Sequence, residues 1–133
     1  MFRWLCLLSV CSLLVCGGDA LSQERIPFNG HEYMLVEQEL TWENARTHAE
    51  SLGGYLACIT TVEEQDFING LLDYYTWLGG MDENSEGNWE WVSGEPWDYE
   101  CWLSTEPNGG VLENYLWWHN NGWNDAADHH VHQ

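Results

Sequence analysis

A chain of 133 residues holds one hydrophobic core, not two. Its formal net charge is −19, from 22 Asp and Glu against three Arg and no lysine. Phosphate backbones and anionic surfaces are bound by neutralising them with Lys and Arg, so nucleic acid is excluded as a partner and no membrane insertion is expected; the acidity suits a cation or a solvated exterior.

The chain opens with Met1-Phe2-Arg3, an apolar run from Trp4 to Val15, and Gly17-Gly18-Asp19-Ala20. A charged start, a short apolar block and a small-residue site read as a leader over residues 1–20, cut after Ala20. The run is shorter than the roughly 20 residues a spanning helix needs. The predicted organisation is therefore a leader, 1–20, and one exported domain, 21–133. A lipid anchor on Cys16 is the alternative. Removing the leader takes away Cys6, Cys11 and Cys16 and leaves Cys58 and Cys101. In an oxidising compartment two remaining cysteines are expected to pair, with two buried free thiols as the other reading.

Tyr33 to Val36 reads as a short strand. Thr41 is placed to cap a helix in which Trp42, Ala45, Ala49 and Leu52 recur at helical spacing, and Gly53-Gly54 ends it. Thr60-Thr61-Val62-Glu63 has the form of a capping box. It opens a second helix that carries Phe67, Ile68, Leu71 and Leu72 toward the core, and Glu63-Glu64 fit its first turn rather than acid/base chemistry. From Tyr74 onward the pattern turns to strands: Trp77-Leu78-Gly79, then Asn88 to Val92 with Trp89 and Trp91 on one face, then Tyr115 to Trp118 and the residues around Trp123. Between Ser93 and Leu112 lies a long segment of little periodicity, in which Trp97, Tyr99 and Trp102 argue for order.

Across the end of that segment, Glu106-Pro107-Asn108, Glu113-Asn114 and Trp123-Asn124-Asp125 gather side-chain oxygens with no Lys, Arg, Cys or His among them. A hard cation such as Ca2+ takes six to eight oxygen ligands, so this set reads as a calcium site. Enzyme signatures are missing from the sequence: it has no serine in a nucleophile elbow and no phosphate loop. His129-His130-Val131-His132 with Asp128 could ligate zinc, but a frayed terminus is the preferred reading.

The ordered set Thr41-Trp42-Glu43-Asn44-Ala45, Leu52-Gly53-Gly54-Tyr55-Leu56-Ala57, Trp77-Leu78-Gly79-Gly80, Trp89-Glu90-Trp91, Gly94-Glu95-Pro96, Glu106-Pro107-Asn108 and Trp123-Asn124-Asp125 resembles the C-type lectin-like domain from about Phe28 to Asp125. The resemblance implies an α+β fold, with two helices flanking small antiparallel sheets and a long calcium-binding loop. It implies a principal Ca2+ held by the side chains of Glu106, Asn108, Glu113, Asn124 and Asp125 and by the Asp125 carbonyl. Two neighbouring sugar hydroxyls would complete the coordination while hydrogen-bonding to Glu106, Asn108, Glu113 and Asn124. Glu before and Asn after the proline matches the arrangement for mannose, glucose, N-acetylglucosamine and fucose, whereas Gln and Asp there would suggest galactose. The bond before Pro107 is expected to be cis, aiming its two neighbours at one cation.

An auxiliary cation position would use Asp82, Glu86 and Asn114 beside Glu113, although Gly109 stands where a further ligand is usual. Ala49, Tyr115 and Asp128 occupy positions of expected cysteines, and the sequence reaches Gln133 before the final strand that the resemblance implies, which would pair near the N-terminal one; a C-terminally truncated domain or an exposed sheet edge are the two expectations. The function implied is secreted, calcium-dependent binding of glycans or glycoconjugates, with homo-oligomers supplying avidity. The alternative is a protein-binding or structural domain in which calcium only stabilises the loop.

Overall fold

The computed structural model describes residues 3–8 and 24–128. The strands and helices, in chain order, are β1 (Arg3–Leu8), β2 (Ile26–Phe28), β3 (His31–Val36), α1 (Trp42–Ser51), β4 (Gly54–Leu56), α2 (Val62–Leu71), β5 (Thr76–Met81), β6 (Glu90–Trp91), β7 (Tyr115–His119) and β8 (Gly122–Ala126). The sheet runs β2-β3-β1-β5-β7-β8, with β4 paired to β1 and β6 to β5. All pairings are antiparallel except β1 with β5. Two helices with one mixed sheet make this an α+β domain.

Both faces of the sheet are buried. In β1, Trp4 and Cys6 enter one core cluster with Trp42, Ala45 and Ala49 of α1, while Leu5 and Leu7 enter the other with Ile68 of α2. Tyr115 and Trp117 of β7 likewise separate from Leu116 and Trp118. This is the period of two expected of a strand, but with apolar residues on both faces it reads in the sequence as an unbroken apolar run.

Arg3–Leu8 lies within the segment whose composition reads as a leader. Here it is the strand between β3 and β5, occupying the inner edge of β3, and Trp4, Leu5 and Cys6 have no exposed surface. Arg3 closes the end of the strand through ion pairs with Glu37 and Asp73. The outer strands of the sheet are β2 and β8. Residues 9–20, with Cys11, Cys16 and the cleavage site after Ala20, lie outside the described residues.

Thr41 caps α1 by accepting a hydrogen bond from the Asn44 N–H, and Gly53, at φ +82°, terminates it. Leu52, expected inside, is 39% exposed. On α2 the box begins one residue later than Thr60: Thr61 is the N-cap, its hydroxyl accepts from the Glu64 N–H, and Glu64 accepts in return from the backbone and hydroxyl of Thr60. Of the four core positions expected on α2, Ile68 and Leu72 are buried and Phe67 and Leu71 pack at the edge; Glu64 and Gln65 are buried as well. The strand expected over Asn88 to Val92 is reduced to Glu90–Trp91, with Trp89 and Trp91 both buried.

The expected Cys58–Cys101 bridge is corrected by the structure, where both thiols are free. Cys58 is buried behind β4, its Sγ–H donating to the Leu56 carbonyl, and burial pushes its thiol up to about 12. Cys101 instead points to the Asn121 carbonyl at the β7–β8 turn. The two sulfurs are committed to different parts of the fold.

Candidate cation and carbohydrate site

Two segments deliver the expected ligands, and both are fixed to the sheet. Asn124 and Asp125 lie on β8, placed by a hairpin whose two turn residues, Asn120 and Asn121, have φ of +47° and +65°. Asparagine tolerates this left-handed pair, which matches the strand twist. The long loop returns beside β8, where the Trp123 N–H donates to the Cys101 carbonyl and the Leu103 N–H to the Trp123 carbonyl. From there the Glu106 N–H donates back to Leu103, and the Glu106–Pro107 bond is cis.

Asp125, 2% exposed, is the centre of the arrangement. Its carboxylate accepts from the Asn108 N–H at 3.0 Å and the Gly109 N–H at 2.7 Å. The Asn108 side-chain amide donates to Glu106 Oε1 at 3.0 Å, and the Asn124 amide donates to the Asp125 carbonyl at 2.8 Å. Glu113 follows a short 3₁₀ turn, Gly110–Leu112, and folds over Gly109; a Cβ built on Gly109 would lie 2.1 Å from Glu113 Oε2. The fold thus brings Glu106, Asn108, Glu113 and Asp125 together, while the Asn124 amide is engaged with the Asp125 backbone carbonyl next to it. It also explains Gly109, whose missing side chain leaves room for Glu113.

The electrostatics of this cluster are unbalanced. Glu106 Oε2 is buried with no hydrogen-bond partner. Desolvation, then a contact with Asp125 and the charges of Asp125 and Glu113, push the Glu106 carboxyl up to about 7. Among the described residues no group of three His, Cys, Asp or Glu side chains is arranged to hold a metal ion; the Asp125 carboxylate is turned to backbone amides and Glu106 Oε1 to the amide of Asn108. In donor type the set nonetheless suits a hard cation, since it consists of three carboxylates and two amides and one buried carboxylate oxygen lacks any donor.

Of the auxiliary set, Asp82 is 3% exposed, and its Oδ1 is a second buried oxygen without a partner. Its other oxygen accepts from the Gly87 N–H, and its own N–H donates to the Asn114 carbonyl. Desolvation foremost, and the charge of Asp125 among the further causes, raise its carboxyl. The Asn114 side chain donates to the Val111 carbonyl, and Glu86 is exposed. Asp82 therefore lies within reach of the Asp125 charge, and so does Glu86, whose carboxyl is raised by desolvation and by Asp82 and Asp125; the Asn114 amide is turned to Val111 instead. Asp128, weighed as a zinc ligand, accepts from the Glu43 N–H in the first turn of α1; His129 to His132 lie outside the described residues.

Residues 38–133 match the Lectin C-type domain family. The chain belongs to the C-type lectin domain family. It is 34% identical over 104 residues to the CD209 antigen of Papio hamadryas, an alignment covering 74% of this chain and 29% of the relative. The chain spans less than a third of the length of the first curated relatives it matches. Its fold superposes with a TM-score of 0.75 on the cow C-type carbohydrate-recognition domain of CD23, solved in the presence of a GlcNAc2Man3 oligosaccharide, at 33% identity and covering 85% of this chain and 88% of that one. A calcium-independent type II antifreeze protein superposes equally well, at 0.75 with 26% identity and 88% of each chain covered. The same lectin fold thus serves proteins of different functions.

Sequence reasoning missed the residues behind the site. Gln65 and Asn69 sit on α2 and carry the hydrogen bonds of Trp123 and Trp118. A polar residue on a helix reads as solvent-facing, and only the need of an indole N–H for an acceptor could have pointed to them.

Proposed function

We propose that this domain binds carbohydrate through a Ca2+ ion held by Glu106, Asn108, Glu113, Asn124 and Asp125, with mannose-type sugars as ligands. The observation that carries the reading is the buried Glu106 Oε2 without a donor, within a cluster of carboxylates and amides. Calcium bound there would supply a centre that accepts two vicinal hydroxyls in place of water. The chain's own residues then set orientation. Carboxylates of Glu106 and Glu113 accept from the sugar hydroxyls, and amides of Asn108 and Asn124 donate to them, so hydroxyl geometry is read by the order of acceptors and donors. Glu106 before Pro107 and Asn108 after it support equatorial 3- and 4-hydroxyls. Asp82 supports a second, auxiliary cation position.

The leader-like composition of residues 1–20 supports export, with Arg3–Leu8 of that stretch retained as β1. Among the described residues no helix is long and apolar enough to cross a membrane. Single sugars exchange hydroxyl for water nearly one for one, so useful avidity calls for several copies. A glycan array probed with and without chelator tests the proposal. Mannose-type signals that vanish with chelator are expected; absence of any glycan signal above background would favour the protein-binding or structural alternative.

A further inference from the structure

Both segments of the cation site branch from Trp123. Its backbone holds residues 101–103, which lead into Glu106, and it immediately precedes Asn124 and Asp125. Its indole, fully buried, is ringed by Trp91, Trp97, Tyr99 and Trp102 at centroid distances of 5.5 to 5.9 Å. All four contacts are edge-to-face, at interplanar angles of 61° to 87°, and such pairs prefer an orientation without fixing one as a hydrogen bond does. One directional contact removes that freedom: Trp123 Nε1–H donates to Gln65 Oε1 at 2.8 Å.

Gln65 is itself 2% exposed and fixed in turn. Its amide donates to Asn69 Oδ1 at 2.8 Å, and the same oxygen accepts Trp118 Nε1–H at 2.8 Å. Indole nitrogens only donate, so both ends of this relay demand oxygen and the orientation of each amide is determined. The neighbouring Trp89 and Trp91 indoles are buried with no partner. The cluster therefore tolerates unpaired indoles, yet the one joined to the ligand segments is tied to α2.

We propose that Gln65 is the positioning residue of the cation site: by holding the Trp123 indole against α2 it fixes where β8 presents Asn124 and Asp125, and where residues 101–103 release Glu106. This rests on the cation-site reading for its purpose, but not for its test. The Asn108 and Gly109 amides donate to Asp125, so their hydrogen exchange reports the placement of Asp125 directly.

The experiment compares full-length wild type, Gln65→Met and Ile68→Ala by amide exchange in chelator and by calcium titration. Ile68 is a fully buried neighbour on the same helix and controls for general destabilisation. Gln65→Met is expected to speed exchange at Asn108 and Gly109 by about tenfold, the scale of one lost buried hydrogen bond, and to weaken calcium binding by a similar factor. Ile68→Ala is expected to lower the melting temperature while leaving both readouts near wild type. Equal exchange at Asn108 and Gly109 in the two variants would overturn the proposal even if no calcium binds at all. Should Gln65→Met not fold, the wild type still decides: the Trp123 indole N–H and the two amides are expected to exchange through one shared opening, and unrelated opening energies would reject the coupling.

Discussion

Replacing Glu106 with Gln is expected to make the metal-free protein more stable while removing its response to calcium. Glu106 has a carboxyl raised from 4.5 to about 7, by desolvation first and then by Asp125 and Glu113. A carboxyl whose folded value lies above its unfolded one contributes stability below about pH 4.5, and that contribution is lost as pH rises through about 7. At about pH 8 the ionised wild type therefore carries the whole penalty, which a neutral amide avoids. The shift corresponds to a ceiling of about 3 kcal/mol, and solvent screening at this partly exposed side chain reduces it to on the order of 1 kcal/mol. For a domain of this size that is a rise of roughly 4 °C in melting temperature. The substituted glutamine would keep the acceptor for the Asn108 amide and add a donor toward Asp125. Thermal melts of both proteins at about pH 4.5 and pH 8, in chelator and in calcium, check each part. The reasoning is refuted if Glu106→Gln melts below wild type at the higher pH in chelator, or if calcium raises both proteins equally.

Three further outcomes are expected. Exchanging Glu106→Gln together with Asn108→Asp should move sugar preference from mannose toward galactose on an array, and an unchanged profile would remove the pair from specificity. Gly109→Ala keeps an ordinary backbone, φ −83°, but its Cβ would meet Glu113 at 2.1 to 2.3 Å, the Cβ of Glu113 included; calcium binding is expected to weaken at least tenfold by the displaced ligand and the melting temperature to fall, as read by titration and thermal denaturation side by side. Deleting residues 1–20 removes β1, and burial of a large apolar side chain contributes about 2 kcal/mol. Losing Trp4, Leu5 and Leu7 then approaches the whole stability of a small domain, so a chain starting at Leu21 should lose its cooperative unfolding transition unless another strand fills the place. A sharp transition at the full-length temperature would contradict this, and the N-terminal mass of the exported protein shows whether β1 is kept.

Capping chemistry made the two helices legible in the sequence: Thr41 and Gly53 act where their residue types require, and the second box slips by one because Thr60 and Thr61 are alike in kind. The Glu106 and Asp125 segments were legible because oxygen-bearing side chains crowd a stretch without cations to pair with. β1 was not legible as a strand. Trp4 to Leu7 are buried on both faces of the sheet, and such a strand behind Arg3 has the same charged-then-apolar composition as a leader. Pairing Cys58 with Cys101 rested on counting, which is blind to direction, and the fold sends their sulfurs to Leu56 and Asn121. Gln65 and Asn69 were invisible for a similar reason, since their partners come from strands about fifty residues later in the chain.

Calorimetric titration of the full-length protein with calcium tests the central claim most directly. The expected result is saturable uptake with a dissociation constant on the order of 10⁻⁴ to 10⁻³ M, the range of extracellular calcium modules, lost in Glu106→Gln and Asp125→Asn. A folded protein that takes up no calcium at millimolar concentration, or binds it equally well in those two variants, would contradict the account.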